Sequence, residues 1–303
     1  KQNQEIIAQK QLLEEKNNEI AMQNEELQQQ QDELLAINEK LEESHREIKM
    51  LYDKINDSIR YASHIQSIVL PDEETLRKSL VDFFVIFKPK DVVSGDFYWF
   101  TENHGKKFVV LADCTGHGVP GAFMSMVGNT LLHETINIKG VDDPARVLRN
   151  IHAGIRNLLK QETSRNSDGM DIAICSLQTE EHLTKVVFAA AKSSIFYVKN
   201  GLIKELKGDN LSIGGVYKKE RPEYTNQHFE LQTGDALYLT SDGFIDQNNE
   251  ARERFGKVRF MDLLIQQFPN KMEVQKTFIL EALEKHQGVS EQRDDITVIG
   301  IRI

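Results

Sequence analysis

The chain has 303 residues, enough for one large domain and an extension, and its two cysteines exclude a disulfide-stabilised scaffold and are compatible with a reducing cytoplasm. The formal net charge is −10, of which residues 1–70 carry −6 through 8 basic and 14 acidic side chains, so nothing indicates a surface for nucleic acid. No run of about 18 apolar residues predicts a membrane span or a signal peptide, and we expect no membrane contact by this fragment. Because the chain begins with Lys rather than Met, we expect a piece of a longer cytoplasmic protein.

The first 70 residues contain neither Gly nor Pro and are rich in Gln, Glu and Leu. An apolar residue recurs at every seventh position, at Ile6, Leu13, Ile20, Leu27, Leu34, Leu41, Ile48, Ile55, Ala62 and Val69. Such sustained heptads predict a coiled coil, and Asn17, Asn24 and Asn38 at the intervening core positions favour a parallel homodimer in fixed register. We therefore predict a dimeric coiled coil and linker helix over residues 1–70. Two roles stay open, a signalling rod that shifts register and a plain dimerisation spacer.

The heptad pattern widens near its end, where Ile59, Ile65 and Ile68 add apolar side chains on further faces. A broader apolar face predicts that the helix contacts a second partner, the following domain, before Pro71 ends it. The second predicted domain is residues 71–303.

This second domain has the patterns of a mixed α and β fold. Strands are predicted at residues 81–88, 107–112, 170–178, 185–191, 195–199, 202–206, 224–231, 236–240 and 296–303, and helices at 72–80, 122–138, 144–161, 260–268 and 274–286. The four strands between residues 170 and 206 are joined by short turns, which predicts one antiparallel meander. Residues 210–215 are predicted to form a loop.

Carboxylates stand at four strand ends, at Asp96, Asp113, Asp242 and the pair Asp294 and Asp295, and no His or Cys recurs with them. Oxygen ligands suit Mg²⁺ or Mn²⁺, whereas zinc sites favour His and Cys. Carboxylates brought close together raise each other's pKa values, and two cations would cancel that repulsion. A pair of such ions is a common means of hydrolysing a phosphate ester. The sequence therefore predicts a site for two Mn²⁺ or Mg²⁺ ions.

Each of these acids also has a structural interpretation. Asp113 precedes a Gly-rich turn. Taken alone, an Asp at such a place is as readily explained as a turn residue or a helix cap as it is as a metal ligand. Alternation along the last strand sends Asp294 and Asp295 to opposite faces, so only one of them is expected to bind. Asp171 heads another strand, and there we favour a solvent-facing side chain over one near the metals.

Four motifs follow one another in the order SGDFYW, ADCTGHGVPGA, LTSDG and RDDITV. Together they resemble the serine phosphatases of the stage II sporulation protein E type, a bacterial branch of the metal-dependent type 2C protein phosphatases, over residues 76–303. The resemblance implies an α+β fold, an αββα sandwich of two antiparallel sheets flanked by helices, here preceded by the long coiled-coil helix. It also implies hydrolysis of phosphoserine or phosphothreonine on a bacterial signalling protein, such as an anti-sigma-factor antagonist, with an upstream sensor acting through the coil.

Carried over residue by residue, the resemblance implies that Asp113 bridges both metals and that the main-chain carbonyl of Cys114 is a further ligand. Asp242 and Asp294 then bind from the opposite side, and Asp96 binds directly or through water. Cys114 departs from the Gly that is usual in the superfamily, which is tolerable at negative φ because only the carbonyl is needed.

The general acid is left open. Thr115 occupies the place of the histidine that follows the bridging Asp-Gly pair in many eukaryotic relatives. His117, in the same turn, is a candidate for positioning the phosphate or protonating the leaving alkoxide, beside a purely structural role.

The expected reaction is in-line attack of a metal-activated water on phosphorus, with Asp113, Asp242 and His117 as the catalytic residues. No covalent phosphoenzyme is expected, because the chain has no Cys-x5-Arg loop. One alternative is a catalytically inactive phosphatase-fold scaffold that acts as a dimeric signalling module. Another is a two-metal nuclease or phosphodiesterase, against which the acidic composition counts.

Overall fold

The computed structural model describes residues 2–215 and 223–303. The chain divides into two compact units, residues 1–58 and 59–303. Helix α1 spans Gln2–Val69 and ends directly before Leu70 and Pro71, as the sequence predicts. The division falls ahead of the predicted boundary at residue 70, because the last turns of α1 belong to the second unit. None of the described helices combines the length and the hydropathy that a bilayer crossing requires.

The first unit is the greater part of α1. Its heptad side chains from Ile6 to Ile55 are 52–65% exposed in the single chain. These side chains form a long apolar stripe that nothing covers in the single chain. A stripe with this spacing has the pattern of a coiled-coil seam.

The second unit is built on two antiparallel sheets. One has five strands in the order β1 (Asp82–Lys88), β11 (Ile296–Arg302), β10 (Ala236–Thr240), β6 (Ser194–Lys199) and β7 (Leu202–Lys207). The other has six, in the order β2 (Phe97–Asn103), β3 (Lys106–Cys114), β4 (Gly169–Glu180), β5 (Leu183–Ala191) and β9 (Gln227–Gln232), with β8 (Ile213–Gly214) paired to β4. The helices are α2 (Glu73–Ser79), α3 (Gly118–Leu132) with a π-helical continuation (His133–Ile138), α4 (Pro144–Leu158), α5 (Asp242–Asp246), α6 (Lys257–Gln267) and α7 (Met272–Gln287).

Three apolar layers hold these elements together. The sheets pack face to face through side chains such as Leu111, Phe188 and Leu239. Helices α3 and α4 cover the outer face of the six-stranded sheet, and α5, α6 and α7 cover that of the five-stranded sheet. The inner strands β3, β4, β10 and β11 are nearly continuous apolar runs because both of their faces are buried. The result is a helix, sheet, sheet, helix sandwich, and the predicted fold class is confirmed.

Three element predictions for the second unit are wrong. The predicted meander is broken after β5, because residues Lys192 and Ser193 carry the chain from the six-stranded sheet to β6 in the five-stranded sheet. Helix α3 begins at Gly118, four residues earlier than predicted, so His117 stands at its N-cap position. The predicted loop at residues 210–215 contains the short strand β8.

Candidate active site

Both sheets contribute carboxylates to one end of the sandwich. Asp113 is the penultimate residue of β3, and Asp242 begins α5, separated from the end of β10 in the opposite sheet by Ser241 alone. Asp294 lies just before β11, and these three side chains line an open cleft of about 310 Å³. Asp96, directly before β2, is 1% exposed and acts electrostatically on Asp113. The structure thus brings the four predicted acids together from distant parts of the chain.

Burial and repulsion between neighbouring carboxylates raise the pKa values of Asp113, Asp96 and Asp242. Burial, followed by the charges of Asp96, Asp242 and Asp294, raises the pKa of Asp113 to about 9. Burial raises the pKa of Asp96 to about 7, against hydrogen bonds that include one from Thr297 Oγ1 at 2.7 Å. Burial and then Asp294 raise the pKa of Asp242 as well. A shared cation would reverse these shifts, because it favours the ionised form of every carboxylate around it.

Two glycines allow the loops that carry Asp96 and Asp113 to approach each other. A Cβ on Gly95 would lie 2.6 Å from the carbonyl oxygen of Gly116, and one on Gly121 would lie 2.2 Å from the same oxygen. Both distances are far shorter than a carbon–oxygen contact, so only glycine fits at either position. The SGD and GHGVPGA motifs therefore pack backbone against backbone.

Asp294 and Asp295 have different surroundings. Asp295 is buried, and its carboxylate accepts hydrogen bonds from the backbone N–H of Lys90 and of Gly95, both at 2.7 Å. Asp294 lines the cleft and accepts the backbone N–H of Asp295 at 2.9 Å. Asp295 therefore holds the loop that precedes Asp96, and Asp294 is the member of the pair that faces the cleft.

The prediction that Asp171 faces solvent is wrong. Strand β4 lies between β3 and β5, and Asp171 stands directly opposite Asp113 in the ladder of β3 and β4. Its side chain lines the cleft and accepts a hydrogen bond from Ser212 Oγ at 2.8 Å. Burial raises the pKa of Asp171, and the Ser212 hydrogen bond and the charge of Lys192 lower it in part.

Lys192 also lines the cleft, and sequence reasoning missed it. The available signal was its place at the end of an apolar strand, as for the acids. The meander prediction removed that signal, because it placed residue 192 in an ordinary hairpin turn.

The turn after Asp113 places the two remaining candidates. Cys114 is the last residue of β3, in extended conformation, so its φ meets the condition for a main-chain ligand, and its side chain is buried. His117 lines the cleft, and its Nδ1 is 2.7 Å from Oδ2 of Asp91. The pair is partly exposed, so Asp91 orients the imidazole without removing it from solvent.

The donor set has the chemistry of a hard-cation site. Among residues 2–215 and 223–303, no three His, Cys, Asp or Glu side chains close around one point tightly enough to hold an ion alone. Mg²⁺ keeps several waters and is usually bound through one or two carboxylates rather than an all-protein cage. Spaced carboxylates with raised pKa values, and a cleft with room for water, therefore fit Mg²⁺ or Mn²⁺.

Two antiparallel sheets between helical layers, with carboxylates from both sheets at one end, define the type 2C class of protein phosphatases. Residues 103–303 match the family described as stage II sporulation protein E (SpoIIE), and the chain belongs to this family. The predicted family is thereby confirmed.

Individual relatives agree with this assignment. The SiaA-PP2C domain of Pseudomonas aeruginosa is 34% identical, with a TM-score of 0.75, over 83% of this chain and 98% of that chain. The phosphoserine phosphatase RsbU of Bacillus subtilis (strain 168) is 25% identical over 198 residues, 63% of this chain and 54% of the relative, so the chain spans about half of that protein. The PP2C domain of SpoIIE from Bacillus subtilis shares the fold at 20% identity, with a TM-score of 0.54, over 73% of this chain and 62% of that chain.

Proposed function

We propose that the chain is a Mg²⁺- or Mn²⁺-dependent protein serine/threonine phosphatase that acts on a phosphoprotein of bacterial signalling in the cytoplasm. The observation that carries the proposal is the convergence of Asp113, Asp242 and Asp294 from both sheets on one cleft, with the buried carboxylate of Asp96 close enough to act on Asp113 through its charge. The relative RsbU is described as a phosphoserine phosphatase, which supports both the reaction class and the substrate residue. An anti-sigma-factor antagonist is one substrate of the expected kind.

Each acid has a role in this proposal. Asp113 and the main-chain carbonyl of Cys114 would hold the cations from the six-stranded sheet, Asp242 and Asp294 would hold them from the five-stranded sheet, and Asp96 would bind directly or through water. Bound cations supply a nucleophilic water and neutralise the phosphoryl oxygens. The rigid strand ends keep the acids in place for in-line attack, so no covalent phosphoenzyme is needed.

Control through α1 is a further part of the proposal. The uncovered heptad stripe from Ile6 to Ile55 supports a parallel homodimer. The hydrogen bonds of Gln66, on the last turns of α1, to Ser94 support a connection from that helix to the loop before Asp96. A sensor upstream of the coil would act by this route.

Phosphate release from a phosphoserine peptide in Mn²⁺ tests the proposal. Asp113→Asn should lower the rate at least about 100-fold, because it removes an anionic ligand of the cations, and it should abolish the increase in Tm on adding Mn²⁺. Asp262→Asn, in an exposed position on α6, is the matched control and should keep both properties. Undiminished turnover by the Asp113 variant would refute the assigned role. A folded wild-type chain with no metal-dependent turnover would instead support the inactive scaffold.

A further inference from the structure

Lys192 lines the acidic cleft described above and also a second cleft of about 220 Å³ that adjoins it. Asp113, Asp171 and Asp242 line both clefts as well, so Lys192 stands where the two meet. Lys257 is the other lysine of the second cleft, and Glu205 already binds its ammonium at 2.9 and 3.1 Å. Lys192 is exposed and acts on Asp171 through its charge. The ammonium group of Lys192 therefore lies among carboxylates but, within the part of the chain that the structure describes, forms no close ion pair like the one between Lys257 and Glu205.

The backbone at Lys192 is built for this position. Lys192 has a φ of +52°, in the left-handed region that a residue with a side chain enters at a cost in free energy. Two backbone hydrogen bonds to residues 208 and 209 hold the turn: the Lys192 N–H donates to Asp209 O at 2.8 Å, and the Gly208 N–H donates to Ser193 O at 2.9 Å. Gly208 is needed there, because a Cβ would lie 2.5 Å from the carbonyl oxygen of Ala190. These hydrogen bonds fix the turn from which the Lys192 side chain lines the two clefts.

A phosphorylated side chain carries a charge of about −1.5 to −2 at neutral pH. Cations held by the four predicted ligands would neutralise those acids, but Asp171, which the resemblance does not place among the ligands, would still repel an incoming phosphoryl group. A lysine ammonium is a compact charge on a flexible stem and a common binder of phosphate oxygens. Lys192 is placed to offset Asp171 and to donate hydrogen bonds to the phosphoryl group.

We propose that Lys192 is the phosphate-binding cation of this cleft and contacts the phosphoryl oxygens of the substrate. The inference rests on the proposed function in taking a phosphoserine peptide as the substrate, but the binding of inorganic phosphate tests it separately. The second cleft, which Ser193 and Ser194 also line, continues away from Lys192. Peptide next to the phosphoserine would occupy it.

The test measures the Kd of inorganic phosphate by calorimetry in the presence of Mg²⁺. Lys192→Gly removes the ammonium and suits the left-handed backbone, so the variant should keep or raise the Tm and should bind phosphate at least about tenfold more weakly. Lys160→Gly is the matched control, because Lys160 has a φ of +49° and lines neither cleft. Its phosphate Kd should equal that of the wild type. If the glycine variant is unstable, the phosphate Kd of Lys192→Met, which retains the side-chain stem without the charge, replaces it in the test.

An effect through Asp171 alone is the competing explanation. If Lys192 only neutralises that carboxylate, Lys192→Met should have no effect on phosphate binding once Asp171→Asn is present. On our proposal it weakens binding about tenfold in that background too.

Hydrolysis gives the last readout. For a phosphoserine peptide, Lys192→Met should raise KM about tenfold and change kcat less, because the ammonium contacts phosphate in the ground state as well as in the transition state. A wild type that does not bind phosphate, or a Lys192→Met variant with unchanged Kd, overturns the inference. Lys192-dependent phosphate binding without any hydrolysis would leave the inference standing and overturn the proposed function instead.

Discussion

The side-chain amide of Gln66 is hydrogen-bonded to both backbone polar groups of Ser94, donating to its carbonyl oxygen at 2.6 Å and accepting its N–H at 3.0 Å. Gln66 is 6% exposed and also donates to Ser125 Oγ on α3 at 2.9 Å. Ser94 and Gly95 lead directly into Asp96. One buried amide therefore joins the end of α1, the loop of a predicted metal ligand and the first helix after the site.

Gln66→Ala should lower both stability and activity. It leaves the buried N–H and C=O of Ser94 without partners, at a cost of about 2 kcal/mol in the free energy of unfolding. It also frees the loop before Asp96, so phosphatase activity should be reduced even at temperatures well below the Tm, where the variant is still folded. Urea unfolding and a rate assay at low temperature measure the two effects. Gln28→Ala, in an exposed position on α1, serves as the control. Full activity in a destabilised Gln66 variant would show that the contact only stabilises the fold.

Asp294 and Asp295 should respond in opposite ways to the same change. Asp295→Asn places an NH₂ group against one of two backbone N–H donors that the carboxylate accepts, so it should lower the free energy of unfolding by about 2 kcal/mol. Asp294→Asn should leave stability within about 0.5 kcal/mol and abolish Mn²⁺-dependent turnover. Chemical denaturation and the peptide assay, applied to both variants, separate the two roles. Equal losses of stability would mean that both side chains are structural.

The metal-free protein should become less stable as the pH rises from about 6 to 9. The folded-state pKa values of Asp113, about 9, and Asp96, about 7, lie above those of carboxyl groups in the unfolded chain, near 4. The folded state therefore binds more protons than the unfolded state across this range, and its stability declines as those protons are lost. In EDTA, the Tm of the wild type should fall more than that of Asp113→Asn between pH 6 and pH 9. Parallel curves for the two proteins would show that Asp113 is not under this repulsion.

His117 should matter most when the leaving group is poor. The imidazole, oriented by Asp91, is the candidate that protonates the leaving serine alkoxide, whereas p-nitrophenolate leaves without a proton. His117→Gln should lower kcat for a phosphoserine peptide by about 10² while changing kcat for p-nitrophenyl phosphate by less than about threefold. His133→Gln, in the π-helical continuation of α3, is the control. Equal losses on the two substrates would assign His117 a structural role.

The features of this molecule that produce a local sequence pattern could be predicted from the sequence. The heptads gave α1, and apolar runs followed by acids located Asp113 and Asp242 at the ends of strands β3 and β10. Pairing across sheets leaves no such local mark. In the sequence, the segment at Lys192 looks like an ordinary turn. Which sheet the next strand joins depends on which strand pairs better with β6, and no local pattern shows this. Asp171 was misjudged for the same reason, since its exposure depends on β4 having neighbours on both sides.

The register of the coil should influence the site if α1 transmits a signal. Inserting one residue after Leu41 rotates every following heptad position by about 100° relative to those before it, so the two parts of the seam no longer face the partner together. In a dimer this strains either the coil or the last turns of α1, which hold Ser94 through Gln66. We expect the rate per active site to change at least about threefold, in a chain that is still dimeric by light scattering. Inserting seven residues at the same place restores the register and should restore the wild-type rate. If the two insertions give the same rate as the wild type, α1 is a tether, and the contact between Gln66 and Ser94 holds the loop without reporting on the coil.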